Sequence, residues 1–455
     1  MRLTFCGGAG SVTGANYLLE IPDKEHPRGA YQILIDCGLT QGAHFVEQQN
    51  YAPFLYKVSE IDAVFVTHAH IDHTGRLPKL IKDGFEGTVY STPPTRDCAE
   101  LLLLDSQHIL AQEAHRIDRP ALYENEEIAR LMQHWQSVLY HAPIKFGKNI
   151  KITLYSAGHI LGSASILVEA EGKRVVFSGD LGNQPAPLIG PSEKLANIDY
   201  CIMESAYGDR IHEDLANRYS KLERVILETV KNGGVLMIPA FALERTQILL
   251  LELHDMLEKH RIPAVPIFID SPLAIKLTSI YSLYRTYLKP EVLKHFGGGD
   301  LFRFPGLRMT PTAEDSKSIN AAPNPKIIIA GSGMSHAGRI LFHEQRYLSD
   351  PHSSLLIFGY QVAGSLGRRL LDGEKQVTIM GSHITVRAHI RAIGGYSAHA
   401  DQKQLMEWVR PFAKTVKHVY LVQGEGQAAT VLAGKLNEMF GLSATVPRMN
   451  ESVVL

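Results

Sequence analysis

A chain of 455 residues, 45% of them hydrophobic, exceeds one ordinary domain and can bury a sizeable core, so two domains are the starting expectation. Its 46 basic residues against 47 acidic ones exclude a protein that coats nucleic acid by bulk charge, and any polyanion site must be local. Four scattered cysteines (Cys6, Cys37, Cys98, Cys201) form no C-x-x-C pair, which argues against a disulfide framework and a thiolate zinc site.

The amino terminus runs straight into glycines rather than an apolar leader, and no apolar run reaches the length of a membrane span. The expectation is a soluble, cytoplasmic protein with reduced thiols and no membrane partner. Gly7 to Gly14 faintly resembles a dinucleotide fingerprint, but Tyr17 to Ile21 continues as strand instead of helix, and a nucleotide site there is rejected. From Leu3 to about Asp199, short β-branched runs closed by glycine or aspartate predict strands: Gln32 to Ile35, Ala63 to Thr67, Thr88 to Tyr90, Ile150 to Tyr155 and Arg174 to Ser178. Between Cys98 and His141 the spacing turns helical, through Leu101 to Leu104, Ile109, Ile128, Leu131 and Trp135. From about Ser205 to Met380 strands and helices alternate, as in Val235 to Ile238 before a helix over Arg245 to Leu253, which is the pattern of an α/β unit with parallel strands. From Ile390 the tail returns to a strand, a turn, a helix and a strand over Val419 to Val422.

The chemistry concentrates at strand ends. Val64 to Thr67 is an apolar strand that runs into His68-Ala69-His70-Ile71-Asp72-His73. On an extended backbone, side chains two apart face the same way, so His68 and His70 can grip one ion while Asp72 and His73, beyond the turn, reach a second. Three imidazoles and a carboxylate within six residues suit a borderline divalent cation, zinc first. Asp36 closes the strand Ile33 to Ile35, His159 follows the strand ending near Ser156, and Asp180 follows Val175 to Ser178. Taken singly, each is more often a turn residue, because Asp and Gly end strands for local reasons. Taken together, His159 can complete the first ion's shell and Asp180 can bridge two ions.

In this order and at these intervals, Asp36, His68-His70-Asp72-His73, His159 and Asp180 resemble the motifs of the metallo-β-lactamase superfamily. Met203 to Gly208, with Glu204, and Tyr396 to Asp401, with His399, resemble the acidic and histidine motifs of its β-CASP branch. So do Pro239-Ala240-Phe241 with Arg245, Asp270 to Ala274, Gly331 to Met334 with Arg339, and Gly359-Tyr360-Gln361 with Gly364 to Arg369. The similarity runs over nearly the whole chain and is greatest to bacterial and archaeal relatives of the cleavage and polyadenylation specificity factor endonuclease.

This resemblance implies an α/β fold: a metallo-β-lactamase αββα sandwich over 1–206 and 389–455, with an α/β β-CASP cap inserted over 207–388. It implies up to two zinc ions, one held by His68, His70, His159 and Asp180, the other by Asp72, His73 and Asp180. Asp36 would support the ligands, and His399, held by Glu204, would donate a proton to the leaving oxygen. The implied activity is phosphodiester hydrolysis by metal-activated hydroxide, on single-stranded RNA, by internal cuts with 5′ exonucleolytic trimming also open. Arg245, Ser332, Ser335, His336, Arg339 and Arg368 are the candidate phosphate contacts, and the resemblance also allows a homodimer.

One position departs from the pattern. Gln423 stands where the family carries a ligand histidine in RNA-cutting members and valine in DNA-cutting ones. An amide oxygen is a weaker zinc ligand than imidazole, so the expectation is a second site that is weak or empty. Two alternative readings follow from it: a DNA-acting β-CASP nuclease, or a weakened member that binds RNA or a protein partner as a scaffold.

Overall fold

The computed structural model describes residues 1–42, 48–212, 215–359, 361 and 364–455, so Tyr360 of the quoted motif lies outside the described residues. The chain divides into one unit formed by Met1–Ile211 and His399–Leu455 and an inserted unit, His212–Ala398.

Strands β1 (Arg2–Gly7), β2 (Asn16–Pro22), β3 (Ala30–Ile35), β4 (Ala63–Phe65), β5 (Thr88–Ser91) and β6 (Trp135–Ser137) lie side by side, with β22 (Ser452–Val454) against β1. Pairing is antiparallel from β22 to β3 and parallel from β3 to β6. A second sheet runs β7 (Ile144–Phe146), β8 (Ile150–Ser156), β9 (Ala164–Ala170), β10 (Lys173–Phe177), β11 (Tyr200–Glu204), β20 (His418–Val422) and β21 (Ala444–Thr445). It is antiparallel as far as β10 and parallel beyond it.

Period-two burial decides how the sheets stack. Leu3, Phe5, Leu19, Ile33, Ile35 and Phe65 of the first sheet share one buried cluster with Ile152, Ile166, Val168 and Phe177 of the second. The alternate residues of the second sheet, Leu167, Val176, Met203 and Leu421, pack on Leu405 and Trp408 of the helix Gln402–Val409 and on Leu432 and Leu436 of the helix Gly426–Phe440. Helices Leu77–Lys82, Pro93–Arg116 and Asn125–His134 cover the first sheet and bury Leu80, Leu103 and Leu131. The layers are therefore helix, sheet, sheet, helix. The helical spacing over 98–141 resolves into two helices, and its last member, Trp135, begins β6 instead. Its indole Nε1 donates to Ser91 Oγ at 2.8 Å, which ties it to the neighbouring strand.

In the inserted unit, near-continuous apolar runs form β12 (Val235–Pro239), β13 (Ile267–Asp270), β14 (Leu307–Met309), β15 (Lys326–Ala330) and β16 (Ser354–Phe358). A hairpin, β17 (Gln376–Ile379) and β18 (Ser382–Thr385), precedes β19 (His389–Ile393). The sheet order is β14-β13-β15-β12-β16-β19 with every pair parallel, the arrangement that buries both faces. β19 completes this sheet against β16, and the first unit resumes at His399. Among the described residues, no helix is long and apolar enough to cross a membrane.

Candidate active site

The metal-type residues of the first unit follow strands that all end at one edge of the sandwich: Asp36 after β3, His68 after β4, His159 after β8, Asp180 after β10, Gln423 after β20, with Glu204 closing β11. Two glycines let the loops close on one another. A Cβ on Gly38 would lie 1.6 Å from the carbonyl oxygen of Asp72, and one on Gly182 would lie 1.6 Å from that of Gly158, so only glycine fits at either position. His70 precedes a single helical turn, Ile71–Thr74, which carries Asp72 and His73 to the same edge.

Four donors converge on one position. His68 Nε2 lies 3.0 Å from His70 Nδ1 and 3.4 Å from Asp180 Oδ2. His159 Nε2 lies 3.3 Å from His70 Nδ1 and 3.5 Å from the same carboxylate oxygen. The four spacings run from 3.0 to 3.5 Å and all four atoms lie within 4.8 Å of one another, so three imidazoles and a carboxylate are gathered closely enough to share one zinc ion. Electrostatics agree: burial, then the charge of His73, holds the His68 ring well below its ordinary pKa, so it keeps a lone pair to offer. Burial opposes the charge on Asp180, but His73 and His68 outweigh it and keep that carboxylate ionised.

The other oxygen of Asp180 faces a second position. Oδ1 lies 3.3 Å from His73 Nε2, and Asp72 Oδ2 is 3.9 Å from the same nitrogen. Asp180 thus presents one oxygen to each position, as a bridging ligand must. The amide of Gln423 is already there, with Nε2 2.6 Å from His73 Nε2 and 3.1 Å from Asp180 Oδ1.

Asp36 sits behind both positions. It accepts from His73 Nδ1 at 2.7 Å and from the Thr67 backbone N–H and hydroxyl, each at 2.8 Å. Asp36 adopts φ 58°, a left-handed backbone that aspartate tolerates better than most side chains. Thr67 was not singled out from the sequence. Its one signal is a hydroxyl placed between an apolar strand and the first histidine, and that hydroxyl also lies 3.0 Å from His68 Nδ1.

His399 Nδ1 lies 3.3 Å from Glu204 Oε2 and 3.7 Å from Asp180 Oδ2. Glu204 is fully buried and its other oxygen accepts from the Leu181 N–H. Burial works against a charged imidazole, but Glu204 and Asp180 override it and push the His399 pKa up to about 10. An imidazolium held beside the first metal position can deliver a proton. Asp180, Glu204 and His399 also bring three ligand-type atoms together, yet Glu204 is spent on His399 and a backbone amide, which suits a proton relay better than a third cation.

The six candidate phosphate contacts all lie in the inserted unit, after the carboxyl ends of β12, β15 and β16, where ligands of open parallel sheets gather. Several are engaged internally. Arg339 donates to Asp270 at 2.8 Å and to the Thr310 carbonyl at 2.7 Å, and the buried Ser335 hydroxyl donates to Glu344. Arg368 pairs with Asp372 across one helical turn. Arg245 lies over the Phe241 ring and donates to the Phe358 carbonyl at 3.2 Å. Ser332 Oγ accepts from the backbone N–H of His336 and lies 3.3 Å from its Nδ1.

Comparison with known proteins gives three adjacent family matches: a β-lactamase superfamily domain over residues 31–217, a Beta-Casp domain over 246–370, and a Zn-dependent metallo-hydrolase RNA specificity domain over 383–447. Ribonuclease TTHA0252 of Thermus thermophilus is 36% identical over 100% of both chains. The transcription termination factor FttA of Methanosarcina mazei is 32% identical over 96% of this chain and 69% of its own. A crystal structure of a protein of unknown function from Enterococcus faecalis, 14% identical, superposes with a TM-score of 0.59 over 100% of this chain and 99% of that one, a likeness of fold alone.

Proposed function

The chain belongs to the β-CASP branch of the metallo-β-lactamase superfamily, and from that premise we propose that it is a zinc-dependent phosphodiester hydrolase that cuts single-stranded RNA internally. The observation that carries this reading is the convergence of His68, His70, His159 and Asp180, whose ligand atoms lie within 4.8 Å of one another. The RNA-specificity match over 383–447 and a relative named as a ribonuclease support RNA over DNA.

When bound, zinc supplies Lewis acidity: it lowers the pKa of water and polarises a phosphoryl oxygen. The rest falls to the chain. His68, His70 and His159 offer neutral nitrogen donors, and Asp180 offers the anionic one. Asp36 fixes His73 through Nδ1 and His68 through Thr67. Asp72, whose side chain is 19% exposed, can accept a hydrogen bond from the attacking water. His399 carries a proton on the same side as Asp180, held in place by Glu204, and gives it to the departing oxygen of the RNA. In the inserted unit, Arg245, Ser332 and His336 are offered for substrate phosphates. Arg339, Ser335 and Arg368 contribute by shaping the loops that carry them, through Asp270, Glu344 and Asp372.

A reduced, cytoplasmic setting belongs to this reading, since Cys37 and Cys201 are buried thiols. The test is a time course on end-labelled single-stranded RNA and matched DNA, with zinc-supplied protein beside chelator-treated protein and Asp72→Ala. Internal RNA cuts lost in both controls support the reading. Equal cutting of DNA points to a DNA-acting enzyme, and RNA binding without cutting points to a scaffold.

A further inference from the structure

Gln423 is a built-in occupant of the second metal position. His73 Nε2 and Asp180 Oδ1 point at one place, and the head of the Gln423 amide stands there at 2.6 and 3.1 Å from them. Zinc bonds to the same two atoms would be about 2.0–2.2 Å long, so ion and amide claim one volume. Whichever end of the amide faces inward, its atoms fill that volume. At the first position the four ligand atoms lie within 4.8 Å of one another.

The amide is also held. Gln423 is 3% exposed, its backbone N–H donates to the Gly8 carbonyl at 2.7 Å, and its backbone sits at φ 47° directly after β20. Withdrawing the head would strand a buried amide, a cost of the order that keeps buried polar groups paired. A neutral amide offers an incoming cation little in return, being a weaker ligand than imidazole and carrying no charge.

We propose that this chain binds one zinc ion, at His68, His70, His159 and Asp180, and that the Gln423 side chain permanently replaces a second, so that residue 423 sets the metal number. The inference rests on the zinc reading above. It makes Asp72 and His73 positioning residues for water and for Asp180, since no ion remains for them to ligate.

The experiment counts metal without reference to activity. The full-length protein is equilibrated with buffered zinc, and bound zinc per chain is read by native mass spectrometry and by elemental analysis. The same is done for Gln423→His and His70→Ala. The expected counts are one for the native protein, two for Gln423→His and none for His70→Ala. Two ions in the native protein overturn the inference and leave the zinc-hydrolase reading standing. No ion in the native protein overturns that reading as well. One ion retained by His70→Ala places the metal elsewhere and overturns the assignment, and one ion in a folded Gln423→His removes residue 423 from control of the count. The native count decides the matter even if the histidine variant does not fold.

Discussion

The Thr67 hydroxyl lies 3.0 Å from His68 Nδ1 and 2.8 Å from Asp36 Oδ2, so one oxygen joins a buried carboxylate to a metal-type imidazole. Because its proton goes to Asp36, it acts as the acceptor toward His68, which puts the ring proton on Nδ1 and leaves Nε2 for the cation. Losing such a support usually lowers metal affinity about 10–100-fold. Thr67→Val, nearly isosteric but without the hydroxyl, is expected to weaken zinc binding by that factor in competition with a chromophoric chelator. Thr67→Ser should stay close to native. Equal affinities for all three would show that the link does not orient His68.

His399 and Glu204 give a different signature, because neither is needed to hold the first ion. General acid catalysis by a positioned side chain contributes about 10²–10⁴-fold. His399→Asn should therefore reduce RNA turnover by that order with zinc content unchanged, and Glu204→Gln should do the same more mildly by loosening the ring. A parallel loss of zinc in His399→Asn would make it a ligand instead of a proton donor.

Much of this site is legible in the sequence, and the reason is geometric. His68, His70, Asp72 and His73 act through local spacing, whereas Asp36, His159 and Asp180, each following an apolar strand, carry a signal only when taken together. Thr67 is not legible, since its role depends on Asp36, 31 residues away in the chain but hydrogen-bonded to it across neighbouring strands. Gln423 stands out only as a departure from a family pattern. That its amide fills the position between His73 and Asp180 follows from β20 pairing beside β11, a contact between distant segments that no local periodicity encodes. Trp135 shows the converse failure: a buried aromatic at helical spacing that the parallel register with β5 makes a strand.

Arg339 illustrates why a surface arginine in a matched motif is ambiguous until its partners are known. Asp270 is fully buried and takes donors from His343, Arg339, Ser316 and Thr310. Burial alone would raise its pKa, but His343 first and then the other donors hold it at about 2. Removing one partner of a buried, hydrogen-bonded charge costs about 3–5 kcal/mol. Asp270→Ala should cost that much in urea denaturation, and Arg339→Ala somewhat less, because the arginine is partly exposed. If Arg339→Ala raised KM for RNA while leaving stability untouched, it would be a phosphate contact after all.

Glu344 provides a pH-dependent test confined to the inserted unit. Its carboxyl is fully buried, one oxygen accepts from Ser335, the other has no partner among the described residues, and burial pushes its pKa up to about 8. In the unfolded chain it titrates near 4.5. Between those values the unfolded state has released a proton that the folded state keeps, so folding stability falls as pH rises through the window and levels off above about 8. The slope from this group alone approaches about 1.4 kcal/mol per pH unit. Glu344→Gln cannot titrate, so the difference in unfolding free energy between native protein and variant should grow in the variant's favour from pH 5 to pH 8, whatever their absolute values. Parallel pH profiles for the two would mean that the carboxyl ionises freely in the folded protein and that solvent reaches its unpartnered oxygen.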